Sequence, residues 1–206
     1  MALLAWDEVS WEGFVAGLKG YREHFPRAAE AQEPRPQNAA EIIRILNKWA
    51  CRLSTELASG ALDTWLRAHA AELEKVAPLT ILDARQPEHT QELGALHDDL
   101  IASMRGAGVL NMADAAVSKA LYLLQPRLFV MWDKEIRRSA PEGYGAYLVQ
   151  MHDLALRLAE EAPTEDVEAY LQQHLGDETS KTLAKYLDEY NWFEAVGREQ
   201  PAARSR

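Results

Sequence analysis

The stretch MADAAVSKALYLLQPRLFVMWDKEIRR, residues 112–138, decides how the rest of the chain is interpreted. Apolar and small residues cover nearly the whole circumference of a helix from about Met112 to Leu124, which is typical of a central helix buried on most sides. The connector after it, residues 125–132, is too short and too apolar for a surface loop. It leads to Asp133, which falls at the N-cap of the next, short helix.

The remaining sequence shows helical spacing of apolar residues, interrupted by proline and glycine. No segment shows the sustained period-two alternation of a strand. The sequence therefore predicts an all-α protein with a single globular helical domain over residues 1–206, a loop at about 26–37 and a disordered tail at about 197–206. Further helices are predicted over 8–25 after Asp7, 38–60 between Asn38 and Gly60, 61–76, 88–104 after Pro87, 145–161, 164–175 after Thr164, and 179–193 from Thr179.

Composition limits the class of protein. The 206 residues, 48% of them hydrophobic, can supply a sizeable core. No stretch reaches the about 18 apolar residues that a membrane span requires, so we expect a cytoplasmic protein without a membrane partner. The single cysteine, Cys51, excludes an internal disulfide and a zinc site made of thiolates. Histidine spacing typical of metal ligands is absent, as are nucleotide-binding and serine-hydrolase motifs, so we expect no metal or cofactor.

Charge is unevenly distributed along the chain. The net charge is −10, which argues against nucleic acid as a partner. Residues 105–138, however, contain six basic and three acidic residues, so this segment alone is basic. A local basic patch can bind a polyanion, and it can equally be an ordinary solvated face.

Two charged residues within the decisive stretch each have two interpretations. Asp133 can serve as a helix cap only, or as a fixed carboxylate used in chemistry. Lys119, on the apolar helix, can extend its ammonium group to water or have a functional partner.

The arrangement over Leu110–Arg138 resembles the core of the helix-hairpin-helix DNA glycosylase superfamily. In that superfamily a hairpin binds DNA phosphates, a connector follows its second helix, and a catalytic aspartate opens the next helix. The resemblance implies that Asp133 cleaves a base from its sugar, and that the base is flipped out and held by aromatic rings. Trp132 and Tyr122 are the nearest candidates for this base pocket; the wider set of aromatic residues comprises Trp49, Tyr186, Tyr190, Trp192 and Phe193.

The sequence departs from the superfamily pattern at two positions. The hairpin turn aligns with Asn111-Met112-Ala113 instead of two glycines, and the position of the Schiff-base lysine in bifunctional members aligns with Asp114, five residues before Lys119. A cysteine cluster for iron and sulfur is also missing. The resemblance therefore implies a monofunctional glycosylase, with Asp133 and Lys119 as candidate catalytic residues.

DNA is the partner that this resemblance implies. The candidate phosphate contacts are Asn111 in the hairpin turn and four basic residues near the site, Arg127, Lys134, Arg137 and Arg138. The alternative function is a non-catalytic helical module that binds a protein or a small ligand, since related folds host unrelated functions.

Overall fold

The computed structural model describes residues 4–30, 34–83, 87–138 and 142–197. Within these ranges the chain is all-α and contains no strand, as the sequence predicts. A 3-10 turn at Trp6–Glu8 precedes the α-helices and a π-helix at Phe193–Gly197 follows them. The helices are α1 Trp11–His24, α2 Pro26–Ala29, α3 Ala39–Lys48, α4 Thr55–Ala68, α5 Ala70–Val76, α6 Pro87–Gly106, α7 Asp114–Leu124, α8 Lys134–Arg137, α9 Tyr144–Glu161, α10 Val167–Leu175 and α11 Leu183–Trp192.

Helix α7 is the central helix, as predicted. Its apolar side chains are buried nearly all round, and it packs against α3 and α6. The buried apolar residues of the described ranges form one continuous core. Helices α6 and α9 approach closely where a Cβ atom on Gly94 would lie 3.0 Å from the Cα atom of Gly145, so glycine is needed at this crossing. No helix in the described ranges has the length and apolar character to cross a membrane.

The connector between α7 and α8 is anchored inside the core. Residues 128–132 are all buried, and three of their backbone groups are bound by side chains of neighbouring helices. Ser118 Oγ accepts the N–H of Trp132 at 3.0 Å, and the hydroxyls of Tyr144 and Tyr147 donate to the carbonyls of Val130 and Met131 at 2.9 and 3.1 Å. Since buried backbone groups need partners, these bonds fix the path of the connector to its end.

The predicted helix from Asn38 to Gly60 is wrong in its second half. Asn38 caps α3 as predicted, by accepting the N–H of Glu41 at 3.0 Å. The helix ends at Lys48, however, and Gly60 lies inside α4. A loop at residues 49–54 separates the two helices, with Ala50 and Arg52 in the left-handed region at φ of 64° and 55°.

The side chain of Asn47 stabilises this loop from the end of α3. Its amide donates to the carbonyl of Leu53 at 2.9 Å and accepts the N–H of the same residue at 2.6 Å. The side chain thereby replaces helical hydrogen bonds that an uninterrupted helix would have made, which the spacing of apolar residues does not reveal.

Three predicted helix starts and two predicted non-helical segments also need correction. Side chains of Ser10 and Asp166 cap α1 and α10, instead of Asp7 and Thr164. Helix α11 begins after its cap, Thr182, instead of at Thr179. The predicted loop at 26–37 contains α2, because a proline at the first helical position favours a helix start. Of the predicted tail, Gly197 ends the π-helix, and residues 198–206 lie outside the described residues.

Candidate functional site

A cavity of about 570 Å³ lies where α1, α3, α7, α11 and the connector meet. Aromatic and charged side chains from different parts of the chain share its walls. The aromatic lining residues are Tyr21, Trp49, Tyr122 and Trp192, and the charged ones are Lys48, Lys119, Asp133, Lys185 and Asp188.

Asp133 and Lys119 meet on one wall of this cavity. Lys119 Nζ donates to Asp133 Oδ2 at 2.8 Å, and the side chains are 16% and 27% exposed. The other oxygen, Oδ1, accepts the N–H of Lys134 at 2.9 Å and caps α8 as predicted. Asp133 therefore caps α8 with one carboxylate oxygen and binds Lys119 on the cavity wall with the other. These two hydrogen bonds fix the orientation of the carboxylate.

Strained backbone is concentrated beside this ion pair. Ala50, Arg52 and Asn111 are the non-glycine residues with positive φ in the described ranges. They belong to two adjoining segments, because Asn111 Nδ2 donates to the carbonyl of Arg52 at 3.4 Å. The Cys51 thiol is close enough for Lys119 and Asp133 to act on its charge, in opposite directions, while burial raises its pKa. Left-handed conformations at non-glycine residues are costly and cluster at functional sites.

The two residues predicted for the base pocket are separated. Tyr122 lines the cavity, together with Trp49 and Trp192 from the wider set of aromatic residues. Trp132 is not among the lining residues; it is 3% exposed and packs against the rings of Tyr144 and Tyr147 at centroid distances of 5.8 and 6.0 Å. Trp132, the residue before Asp133, is therefore part of the core.

Most of the predicted phosphate contacts are engaged in ion pairs. Arg127 pairs with Glu168 at 4.0 Å, Arg138 with Glu135 at 2.8 Å, and Arg137 with Asp114. Lys134 is exposed and has no ion pair within the described ranges. Asn111, the remaining predicted contact, is uncharged and lies in the turn between α6 and α7. The positive charge of segment 105–138 is thus largely neutralised by nearby carboxylates.

Sequence reasoning missed a second charged wall. Lys185 Nζ donates to Asp188 Oδ2 at 2.8 Å, across the i,i+3 spacing of α11, and Tyr21 of α1 lies beside this pair. The spacing in KYLD was visible in the sequence, but an i,i+3 pair on its own is an ordinary surface feature. Lys48, at the end of α3, was also missed.

The second wall is backed by a buried network of charges. Glu189 is fully buried and accepts a hydrogen bond from Lys181 Nζ at 2.9 Å, and Arg22 binds Asp177 at 2.5 Å. Burial raises the pKa of Glu189, although the neighbouring lysines and Arg22 oppose the shift. Burial alone would lower the pKa of Lys185, but the carboxylates of Asp188 and Glu189 raise it above its usual range.

A larger groove, of about 780 Å³, runs along α4 beside the end of α6. Both ring nitrogens of His69, in its lining, are engaged, at 3.1 Å from the carbonyl of Trp65 and 3.2 Å from Asp99. The lining residues of the groove include neither a cluster of aromatic rings nor a lysine–carboxylate pair, so the groove lacks the combination found in the cavity.

No cluster of three or more potential metal ligands occurs among the residues that the structure describes. Comparisons of the chain with protein-family models, with curated proteins and with solved structures each gave no match. The geometry of the cavity is therefore what bears on the function of the protein.

Proposed function

We propose that the protein is a glycosylase-like enzyme that hydrolyses the N-glycosidic bond of a base flipped out of DNA, with Asp133 as its catalytic carboxylate. The observation that carries this proposal is the position of Asp133. Its charge is held in one orientation on the wall of a cavity that also contains four aromatic rings. The volume of this cavity, about 570 Å³, lies within the range of about 300–1,000 Å³ that is typical of ligand pockets.

Asp133 would act on the sugar as the base departs. The bond between the base nitrogen and C1′ breaks, its electron pair leaves with the base, and positive charge develops on the sugar. A fixed carboxylate stabilises this charge and accepts a proton from the water that attacks C1′. Lys119 orients Asp133 through the 2.8 Å hydrogen bond. The reaction requires no cofactor, in keeping with a cytoplasmic monofunctional enzyme.

The aromatic rings would hold the extruded base. Trp49, Tyr122 and Trp192 line the same cavity as the carboxylate. Stacking on aromatic side chains is worth about 1–3 kcal/mol per base and offsets part of the cost of unstacking it from the duplex. This assigns the base pocket to Trp49, Tyr122 and Trp192 rather than to Trp132.

Contact with the DNA backbone would come from exposed cations that have no internal ion pair. Lys48 lines the cavity and Arg52 adjoins the turn that contains Asn111; both are exposed and have no ion pair within the described ranges. Together with Lys134 they replace the paired arginines as phosphate contacts. Because phosphate contacts release counterions, binding to duplex DNA should weaken steeply with salt.

The substitution Asp133→Asn tests the catalytic role. It keeps the shape and the cap, so we expect binding to DNA and folding to be retained, while base release falls by at least about 100-fold. Base release is measured in single-turnover assays on duplexes that carry different modified bases. Asp153→Asn, on the exposed side of α9, is the matched control and should retain full activity. Unchanged base release in the Asp133 variant would exclude this residue from catalysis.

A second candidate function is binding of a small ligand in the cavity without catalysis. The ion pairs of Arg127, Arg137 and Arg138, together with the net charge of −10, favour it over DNA binding. A complete absence of binding to duplex DNA at low salt would support this candidate and refute the first.

A further inference from the structure

From the second wall of the cavity, we infer that the site selects a heteroaromatic ring bearing an exocyclic amino group, and that Asp188 is the specificity-determining residue. The inference rests on the proposed function in one respect, namely that a base occupies the cavity. It adds the class of base, which the first wall with Asp133 does not determine.

Asp188 presents an acceptor to the cavity. Its Oδ2 accepts from Lys185 at 2.8 Å, whereas its Oδ1 has no hydrogen-bond partner among the described residues. The side chain is 13% exposed and lines the cavity, so its carboxylate can be reached from the cavity. A carboxylate can only accept hydrogen bonds, so it requires a donor from whatever binds there.

Lys185 and Tyr21 supply donors beside that acceptor. Lys185 has three N–H groups, of which one is used by Asp188, and its side chain is 16% exposed. The Tyr21 hydroxyl has no hydrogen-bond partner among the described residues, and burial raises its pKa to about 12, so that it remains a donor at neutral pH. The wall therefore combines one acceptor with two donors.

The polar edge of an amino-substituted base fits this wall. In adenine and in cytosine an exocyclic amino group stands next to a ring nitrogen that accepts hydrogen bonds. The amino group can donate to Asp188 while Lys185 or Tyr21 donates to the ring nitrogen. Uracil in the same pose places a carbonyl oxygen against Asp188 and its ring N–H against the donors of Lys185 and Tyr21, so both contacts become repulsive. The wall thus discriminates by repulsion as well as by attraction.

The wall is held rigid from behind. Lys185 Nζ lies 4.0 Å from Oε1 of Glu189, and this atom is bound by Lys181 at 2.9 Å in the buried network. Lys181 also donates to the carbonyl of Ala29 at 2.6 Å. A recognition group held by such contacts does not adapt to a mismatched ring, which is the condition for selectivity.

Binding of free bases tests the inference without any reaction. Ligand-observed NMR titrations of the full chain with adenine, cytosine and uracil should show adenine or cytosine binding at least about 10-fold more tightly than uracil, the loss of one charge-assisted hydrogen bond being worth about 10- to 100-fold. In Asp188→Asn this preference should disappear, because an amide both donates and accepts. Asp153→Asn, on the exposed side of α9, is the matched control and should keep it.

Two further measurements keep the test decisive. Thermal unfolding of each variant establishes that it is folded. Tyr21→Phe, which leaves the Lys185–Asp188 pair intact, should weaken adenine binding several-fold. Equal affinity for uracil and adenine in the unaltered protein, an unchanged preference in Asp188→Asn, or no binding of any base would each overturn the inference. A preference for amino bases without base release would refute the proposed activity alone, whereas base release without that preference would refute only the selectivity.

Discussion

Two lysine–carboxylate pairs in this protein have nearly the same geometry and opposite environments. Lys181 and Glu189 are 2.9 Å apart with side chains 1% and 0% exposed, whereas Lys119 and Asp133 are 2.8 Å apart with side chains 16% and 27% exposed. The first pair is sealed behind α11, and the second faces a cavity. Access from the cavity, rather than the ion pair itself, therefore separates a structural carboxylate from one available for chemistry.

The largest expected effect is on the sealed pair. In Lys181→Met the fully buried carboxylate of Glu189 loses its closest partner, and breaking a buried pair from one side costs about 3–5 kcal/mol. We expect a loss of this size in the free energy of unfolding, measured by urea titration. The double variant Lys181→Met/Glu189→Leu should recover part of the loss. A loss below about 1 kcal/mol would show that burial does not distinguish the pairs as described.

The next effect concerns the anchoring of the connector. Tyr144→Phe removes the hydroxyl that donates to the carbonyl of Val130 at 2.9 Å. The buried carbonyl is left without this partner, which costs about 1–3 kcal/mol. Chemical denaturation should show this destabilisation. Tyr170→Phe, a partly buried tyrosine on α10, is the control and should change stability by less.

A smaller effect on stability is expected for the accessible pair. Lys119→Met should cost up to about 1 kcal/mol, because solvent reaches both members and Lys134 N–H still holds Asp133. On the proposed function, base release should nevertheless fall clearly in this variant. Lys181→Met would thus have the larger effect on the free energy of unfolding, and Lys119→Met the larger effect on base release. Full activity of Lys119→Met would leave its role in orienting Asp133 unsupported.

The smallest effect at neutral pH is expected at Tyr21. Its folded-state pKa is raised from 10 to about 12, mainly by burial. Between these values the folded state keeps a proton that the unfolded state loses, so this contribution to stability is complete below pH 10 and is lost as pH rises toward 12. Tyr21→Phe should therefore reduce the decline in unfolding free energy over this range. If the unfolding free energy of the unaltered protein and that of Tyr21→Phe fall equally between pH 10 and 12, the raised pKa of Tyr21 is contradicted.

The first wall of the cavity was more predictable from sequence than the second. Asp133 was identified because cap, connector and central helix follow one another within residues 112–138, so local rules apply. Its pairing with Lys119 was not predicted, since it depends on how the connector returns along α7. Tyr21 and Asp188 come together from helices at opposite ends of the chain, which periodicity within a segment cannot show.

The helical class was predictable for the same reason, whereas the break after Lys48 was not. The spacing of apolar residues continues through residues 49–54, although the left-handed Ala50 and Arg52 and the hydrogen bonds of the Asn47 side chain end the helix. Alanine carries no signal for such a conformation. The loop that brings Trp49 and Cys51 beside the ion pair was therefore hidden within an apparently regular helix.

The hydrogen bond from the Trp132 N–H to Ser118 Oγ has a consequence for motion around the cavity. Ser118 is the neighbour of Lys119, and Trp132 is the neighbour of Asp133. The two charged residues are thus tied by this hydrogen bond between their chain neighbours as well as by the bond between their own side chains. A displacement of α7 would therefore carry the connector with it and leave the distance between the ammonium group and the carboxylate unchanged.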